Sequence, residues 1–124
     1  MAEPLVLAFL DVDHLKDVND SLGHAAGDRL LVAVTTALRA NLRPHDLIIR
    51  YGGDEFVCAI SGITQDEVAT RLTLVNELLV DSHEHGSMSF GLAEHEPSDS
   101  PERLIARADA ALYTGRGRRR ASGS

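Results

Sequence analysis

The sequence predicts a single α+β domain in the order strand, helix, helix, strand, strand, helix, strand, helix (βααββαβα). Residues 5–10 are apolar without interruption, as in a strand buried on both faces. Two further apolar runs flank Gly52 and Gly53, which is the pattern of a β-hairpin. Elsewhere apolar residues recur three and four positions apart, as in helices that cover a sheet. We expect the helices to gather on one face of a mixed or antiparallel sheet.

Two helices are predicted after the first strand. Residues 14–24 have the spacing of a short helix that stops at Gly23. A longer helix begins near Ala25 and ends before Pro44. Its predicted inner stripe consists of apolar residues three or four apart, namely Leu31, Val34, Leu38 and Leu42.

The hairpin arms are residues 46–51 and 55–61, and Gly62 closes the second arm. A capping-box pattern at residues 64–67 begins the next helix, whose apolar residues again have helical spacing. Residues 87–93 alternate well enough for a strand.

Ser100 and Pro101 begin the last helix with a hydroxyl cap and a proline in the first turn. Its predicted inner face is the set Leu104, Ala108, Ala111 and Leu112.

Length and composition set limits on the function. A chain of 124 residues with 44% hydrophobic and 25% charged residues is long enough for one soluble domain with a real core. The net charge of −7 argues against general binding to DNA or RNA. No stretch is long enough to cross a bilayer, and no basic segment leads into a signal-peptide core, so a cytoplasmic location is expected. The single cysteine, Cys58, lies in an apolar strand and is expected to be a buried, inert thiol.

Acidic residues follow or begin two of the predicted strands. Asp54 and Glu55 stand side by side at the hairpin turn, and Asp11 and Asp13 end the first strand. If these strands are neighbours in the sheet, Asp11 and Asp54 converge on a hard divalent cation, which takes oxygen ligands and commonly acts on phosphate substrates. The pattern therefore predicts a phosphoryl-transfer site.

The motifs resemble those of the GGDEF family of diguanylate cyclases. Residues 52–56 read Gly-Gly-Asp-Glu-Phe without change. Residues 11–20 resemble the family segment D-x-D-x-F-K-x-x-N-D, with leucine in place of the phenylalanine, and residues 23–28 resemble G-H-x-x-G-D. Residues 87–91 and 108–113 are similar to the family's S-x-S-x-G strand and A-D-x-A-L-Y helix.

The resemblance implies a palm-like fold, akin to nucleotide cyclases and to ferredoxin-like sheets. It also implies that two GTP molecules are condensed to cyclic di-GMP with loss of two pyrophosphates. Each GTP is held by one subunit of a homodimer, so the implied partners are GTP, cyclic di-GMP and a second copy of the chain.

Family positions imply the ligands of Mg²⁺ or Mn²⁺, namely Asp11, the Val12 carbonyl, Asp54 and Glu55. Asp54 and Glu55 are the implied catalytic residues. The sequence leaves open whether Asp54 acts as a base or as a metal ligand.

The remaining implied substrate contacts are shared between the base and the phosphates. Asn19 and Asp28 match the guanine-contacting positions, although by pattern alone they are ordinary helix surface residues. Lys16, Arg116 and Arg120 are implied contacts of the triphosphate, and the resemblance also makes Gly52 and Gly53 substrate-binding residues. Arg116 and Arg120 also fit an ordinary solvated basic tail.

Arg43 and Asp46 resemble the family's R-x-x-D site, where product binds and inhibits. The alternative is a pair at a helix end in which Asp46 braces the next strand. Both interpretations rest on the charges of Arg43 and Asp46.

Two departures from the family pattern matter. Residues 1–117 form the predicted GGDEF domain but lack the usual N-terminal helix, and residues 118–124 are predicted to be a disordered basic tail. No dimerising coiled coil or sensor is visible in the sequence. The alternative function is therefore a weak or inactive module that binds GTP or cyclic di-GMP and signals through a sensor or effector protein.

Overall fold

Four strands form one antiparallel sheet, against which the helices pack. The computed structural model describes residues 4–123, and their side chains as far as residue 114. The order of elements confirms the predicted βααββαβα succession. The elements are β1 (Leu5–Val12), α1 (Leu15–Leu22), α2 (His24–Asn41), β2 (Leu47–Arg50), β3 (Glu55–Ser61), α3 (Gln65–Asp81), β4 (Met88–Glu94) and α4 (Pro101–Gly123).

The first strand of the chain lies inside the sheet. The strand order is β2-β3-β1-β4, so β1 has a hydrogen-bonded neighbour on each side. An inner strand covered on both faces requires apolar side chains at odd and even positions alike. This position accounts for the uninterrupted apolar run at residues 5–10.

The sheet is covered on both faces, and the prediction that helices gather on one face is wrong. Val6, Ala8 and Leu10 of β1 join the core formed with α2 and α3. Leu7 and Phe9 point the opposite way and join a second core with Leu104, Ala108 and Leu112 of α4. The strand β1 carries apolar side chains on both faces of the sheet. If helices covered only one face, the apolar side chains on the other face would remain in water.

One predicted inner position of the helices, Ala111, is wrong, and another, Leu31, is only partly buried. On α2 the deeply buried residue is Leu30, which is 2% exposed, whereas Leu31 is only partly buried. Leu31 packs against the first core and also lines a surface cleft. On α4 Ala111 is exposed, because the face toward the sheet is formed by Leu104, Ala108 and Leu112, with Ile105 partly buried beside them.

Local signals placed several helix ends correctly. Thr64 caps α3 by accepting a hydrogen bond from the Glu67 amide at 3.2 Å, which confirms the predicted start of this helix, and its hydroxyl donates to the Glu67 carboxylate at 3.3 Å. Gly23 separates α1 from α2 with φ of 93°, a conformation that favours glycine.

Within residues 4–123, no helix has both the length and the apolar character needed to cross a membrane. The predicted tail at residues 118–124 falls beyond the last described side chain and stays a prediction.

Candidate active site

The hairpin turn meets the end of β1. The Val12 amide donates a hydrogen bond to the Asp54 carbonyl at 2.8 Å, and Asp11 lies directly opposite Glu55 in the β1–β3 register. Directly opposed residues on antiparallel strands have Cβ atoms about 5 Å apart. Acidic residues that are 43 or more positions apart in the sequence are therefore adjacent in space, as the sequence predicted they must be for a cation site.

The turn itself is held by backbone and arginine contacts. The Tyr51 amide donates to the Glu55 carbonyl at 2.8 Å. Arg50 donates from Nε to the Gly52 carbonyl at 3.3 Å and from a terminal nitrogen to the Gly53 carbonyl at 2.7 Å. These bonds fix the backbone that carries Asp54. Sequence reasoning gave Arg50 no role, although its place two residues before the glycine pair put it beside the site.

The two glycines of the turn differ in what they allow. Neither has a positive φ; among the glycines in the described part of the chain, Gly23 and Gly62 do. A Cβ on Gly52 would lie 2.7 Å from Oε1 of Glu55, whereas a Cβ on Gly53 would meet nothing within 4 Å. Gly52 therefore makes room for the Glu55 carboxylate.

A cleft of about 440 Å³ opens beside the turn. It lies between the start of α1, the start of α2 and the hairpin, and it brings together five residues expected to bind substrate or metal: Lys16, Asn19, Asp28, Gly53 and Asp54. The rest of its lining is Leu15, Asp20, His24, Leu31 and Arg50. Asp11, Val12, Gly52 and Glu55 lie beside the cleft at the strand ends and do not line it.

Asn19 reaches the cleft because α1 and α2 approach closely at a glycine. A Cβ on Gly27 would lie 1.8 Å from Oδ1 of Asn19, which no real side chain could tolerate. Gly27 is buried on α2. Because it has no side chain, the side-chain amide of Asn19 can occupy the space beside it. The sequence motif contained this glycine, but only the packing of the two helices reveals its purpose.

Comparison with known proteins identifies the family. Residues 1–122 match the model described as "Diguanylate cyclase, GGDEF domain". The chain belongs to the GGDEF family.

Named relatives agree with this assignment. The GGDEF chain is 35% identical over 131 residues to the diguanylate cyclase TpbB of Pseudomonas aeruginosa, covering 98% of the chain but 30% of TpbB. It therefore spans about a third of that relative.

Solved structures of the family superpose closely. The GGDEF domain of DgcB from Caulobacter crescentus, in complex with c-di-GMP, aligns with TM-score 0.79 and 31% identity over 92% of this chain and 72% of that one. The diguanylate cyclase SiaD of Pseudomonas aeruginosa, in complex with its activator SiaC, aligns with TM-score 0.80 and 34% identity over 91% of this chain and 46% of that one. These likenesses confirm the palm-like α+β fold.

The acidic strand ends of the GGDEF domain suit a hard cation. Among the described residues, no group of three or more His, Cys, Asp or Glu side chains is arranged as a complete metal site. Mg²⁺ usually does not need one, because it is held by one or two carboxylates together with substrate phosphates and water. The donors at the strand ends, Asp11, Glu55 and the Val12 carbonyl, are all oxygen ligands and fit such a partial site.

Positive charge lies at the rim of the cleft. Lys16 and Arg50 line it, on α1 and at the end of β2. Arg116 and Arg120, which the sequence also assigns to the phosphates, lie outside the residues whose side chains are described, and their contacts stay predictions.

The Arg43–Asp46 pair lies at the other end of the hairpin. β3 has seven residues and Arg43 bonds the carbonyl of Ser61 at its far end, so about 20 Å separates the pair from the turn. The Asp46 side chain is fully buried and accepts from the Arg43 amide at 2.8 Å and from the guanidinium at 3.1 Å. Arg43 remains 29% exposed. Asp46 thus has the bracing contacts of the alternative interpretation, while Arg43 is partly exposed to solvent.

The charge of Asp46 is stabilised by its partner. Burial alone would raise the pKa of this carboxyl, but the hydrogen bonds and positive charge of Arg43 outweigh burial and hold the pKa below its ordinary value. The ion pair is therefore formed at neutral pH.

Cys58 is fully buried, and burial raises the pKa of its thiol to about 12. The prediction of an inert thiol is confirmed, because the reactive thiolate is not populated at neutral pH.

Proposed function

We propose that this GGDEF domain condenses two molecules of GTP into cyclic di-GMP, with one GTP bound in the cleft of each of two facing subunits. The observation that supports this most strongly is the hydrogen bond between Val12 and Asp54, which joins the two acidic strand ends next to a cleft of nucleotide size. Family membership adds the reaction class.

The reaction consists of two phosphoryl transfers. In each, the 3′-hydroxyl oxygen of one GTP bonds to the α-phosphorus of the other, the bond from that phosphorus to the bridging oxygen breaks, and pyrophosphate leaves. The hydroxyl proton is released, and two such steps close the ring. Little covalent chemistry is left to the protein, so positioning and charge stabilisation provide the catalysis.

The strand ends provide the acidic half of the site. Asp11, Glu55 and the Val12 carbonyl would hold Mg²⁺ or Mn²⁺, which when bound neutralises triphosphate charge and lowers the pKa of the attacking hydroxyl. Asp54, whose backbone is fixed by Val12 and whose side chain lines the cleft, either completes the ligand set or accepts the hydroxyl proton. Lys16 and Arg50 oppose the phosphate charge that the cation does not reach.

Asn19 and Asp28 are placed to read the base. A carboxylate accepts hydrogen bonds from both N1–H and the exocyclic amine of guanine, and adenine offers no such pair. Adenine would leave those acceptors unpaired, which is costly in a desolvated site. Both residues line the cleft, Asn19 from α1 and Asp28 from α2.

Gly27 provides a test of the base site. Gly27→Ala is expected to weaken binding of a non-hydrolysable GTP analogue about tenfold, because Asn19 must leave its position and its hydrogen bond is lost. Isothermal titration calorimetry measures the change. Asn19→Ala is the matched control: it should weaken binding by a similar factor, and the double variant should be no weaker. Undiminished affinity in Gly27→Ala would argue against a base-binding role for Asn19.

We infer from the reaction that two subunits are needed, because each cleft is proposed to bind one GTP and the product contains two guanosine nucleotides. Two copies must present their clefts to each other, so turnover per molecule should rise with protein concentration.

The direct test is to incubate the purified protein with GTP and Mg²⁺ over a range of protein concentrations and to separate the nucleotides chromatographically. We expect cyclic di-GMP and pyrophosphate in a 1:2 ratio, and no reaction with ATP. Binding of cyclic di-GMP without turnover at any protein concentration would instead favour the alternative, a receptor module.

Product feedback at Arg43 and Asp46 is the second part of the proposal. The exposed part of Arg43 can stack on guanine or bond to a phosphate, while buried Asp46 holds the guanidinium in place. Arg43→Ala is expected to relieve inhibition by added cyclic di-GMP and to leave the initial rate nearly intact, because the pair is remote from the turn. Inhibition curves of the same shape in both proteins would contradict this assignment.

Arg43→Ala should also lower stability by about 3 kcal/mol at pH 7, because it leaves Asp46 buried without its partner. The pKa of Asp46 is lowered in the folded wild type, so its ion pair stabilises the fold above the unfolded pKa and ceases to do so as the pH falls through the folded pKa. The stability difference between the two proteins should therefore shrink below about pH 4, as denaturant titrations can measure.

A further inference from the structure

Asp13 is bound by both its side chain and its backbone to the beginning of β4 and the residue just before it. Its Oδ2 accepts from the Ser87 hydroxyl at 2.8 Å, and its Oδ1 accepts from the Ser89 hydroxyl at 2.7 Å. Its amide donates to the Ser87 carbonyl at 3.0 Å. Hydrogen bonds to an ionised carboxylate are stronger than neutral ones, so these contacts form a firm clamp.

The strand that receives Asp13 is itself held in place. Ser89 is 3% exposed, and Met88 is paired with Val12 in the β1–β4 register. From α3, the Asn76 amide donates to the Met88 carbonyl at 3.0 Å and its Oδ1 accepts from the Met88 amide at 2.8 Å. The serines are thus fixed supports.

Asp13 lies in the chain between two parts of the proposed site, the acidic end of β1 and helix α1. The residue before it, Val12, is bonded to the hairpin turn, and the residue after it, His14, has a left-handed backbone with φ of 59°. Such a conformation is uncommon for a residue other than glycine and needs support from its surroundings. Through it the chain turns from β1 directly into α1, which carries Lys16 and Asn19 to the cleft.

We propose that Asp13 is a positioning residue. This proposal rests on the proposed cyclase function. Its clamp to Ser87 and Ser89 sets the direction of the Val12 carbonyl toward the cation and the direction of α1 toward the nucleotide. Asp13 itself does not line the cleft, and both its oxygens face serine hydroxyls on the β4 side. Residues that orient ligands in this way typically change metal affinity ten- to a hundredfold when replaced.

The test measures Mn²⁺ binding by electron paramagnetic resonance of the free ion, in the presence of a GTP analogue with a methylene bridge between its α- and β-phosphates. Asp13→Ala is expected to weaken Mn²⁺ binding about ten- to a hundredfold. Asp13→Asn keeps the planar shape of the side chain, with an oxygen that accepts from one serine and an amide that donates to the other. This variant should bind Mn²⁺ with an affinity within a few-fold of wild type. Asp66→Ala, at an exposed position in the first turn of α3, is the matched control and should bind as wild type does.

Two results would overturn the proposal. Wild-type Mn²⁺ affinity in folded Asp13→Ala would exclude a positioning role. A loss in Asp13→Asn as large as in Asp13→Ala would make Asp13 a direct ligand. If Asp13→Ala does not fold, Ser89→Ala decides the question, because it removes one arm of the clamp and should weaken Mn²⁺ binding in the same direction; unchanged binding there would also count against the proposal.

The same titration separates this proposal from the cyclase function. A wild-type protein that makes cyclic di-GMP while Asp13→Ala binds Mn²⁺ normally contradicts only the role of Asp13. A wild-type protein that binds Mn²⁺ and the analogue without turnover contradicts only the cyclase, and the comparison of variants still stands. Raising Mn²⁺ should restore turnover in Asp13→Ala, and thermal melting of the same samples without Mn²⁺ distinguishes weakened metal binding from a variant that is merely less stable.

Discussion

Asp54→Ala is expected to reduce formation of cyclic di-GMP by at least about a hundredfold. Asp54 is the one carboxylate of the hairpin that both lines the cleft and adjoins the end of β1, so its removal takes either a metal ligand or a base from the reacting groups. The fold should be unaffected, because the Asp54 contact to Val12 uses its backbone carbonyl. Chromatographic rates and thermal melting of the same samples measure both properties.

The two roles open to Asp54 give different binding results. If Asp54 is a ligand, Mn²⁺ affinity falls together with turnover; if it is a base, turnover falls and Mn²⁺ affinity stays. Asp66→Ala, at an exposed acidic position in the first turn of α3, is the control for loss of a carboxylate and should retain full activity. Turnover in Asp54→Ala close to that of wild type would contradict the proposed site.

Gly91→Ala is expected to lower the stability of the domain by about 3 kcal/mol. A Cβ at this position in β4 would lie 2.2 Å from the Leu112 amide nitrogen and 2.3 Å from the Ala108 carbonyl oxygen, both in the backbone of α4. A helix backbone cannot rotate away as a side chain can, so α4 must move off the sheet and uncover the second core, which includes Phe9 and Leu104.

Thermal unfolding measures this loss, for which a shift of about 10 °C is expected in a domain of this size. Gly53→Ala is the matched control for stability, because its new Cβ meets nothing within 4 Å and its backbone lacks a positive φ. Equal melting temperatures for Gly91→Ala and wild type would mean that α4 does not pack against β4 as described.

Local patterns were sufficient for the order of elements and for most of the candidate site. The apolar run at residues 5–10, the helix cap at Thr64 and the stop at Gly23 each depend on neighbours in the sequence, and the structure confirms all three. The acidic residues could be chosen because carboxylates at strand ends have a recognisable chemistry. Asn19 and Asp28 came from family resemblance, since on a helix their pattern is that of surface residues.

The predictions that proved wrong concern which residues are buried and which face of the sheet each helix covers. Both features depend on contacts between residues that are remote in the sequence. The continuous apolar character of β1 indicated two covered faces, yet only packing placed α4 on the second face. Ala111 lies on the correct helix but is turned away from the second core, because a helix's rotation is set by the surface it meets. The burial of Asp46 beneath Arg43 likewise depends on how the end of α2 meets the hairpin.

By itself the sequence determined the elements, their order, the acidic character of the strand ends and the family, because periodicity, capping and motifs are properties of short segments. Only the tertiary structure decided the register that sets Asp11 opposite Glu55, the contact of Gly27 with Asn19 and the clamp around Asp13. Those features join residues 8 to 76 positions apart, and their geometry is fixed by the simultaneous packing of strands and helices around two cores.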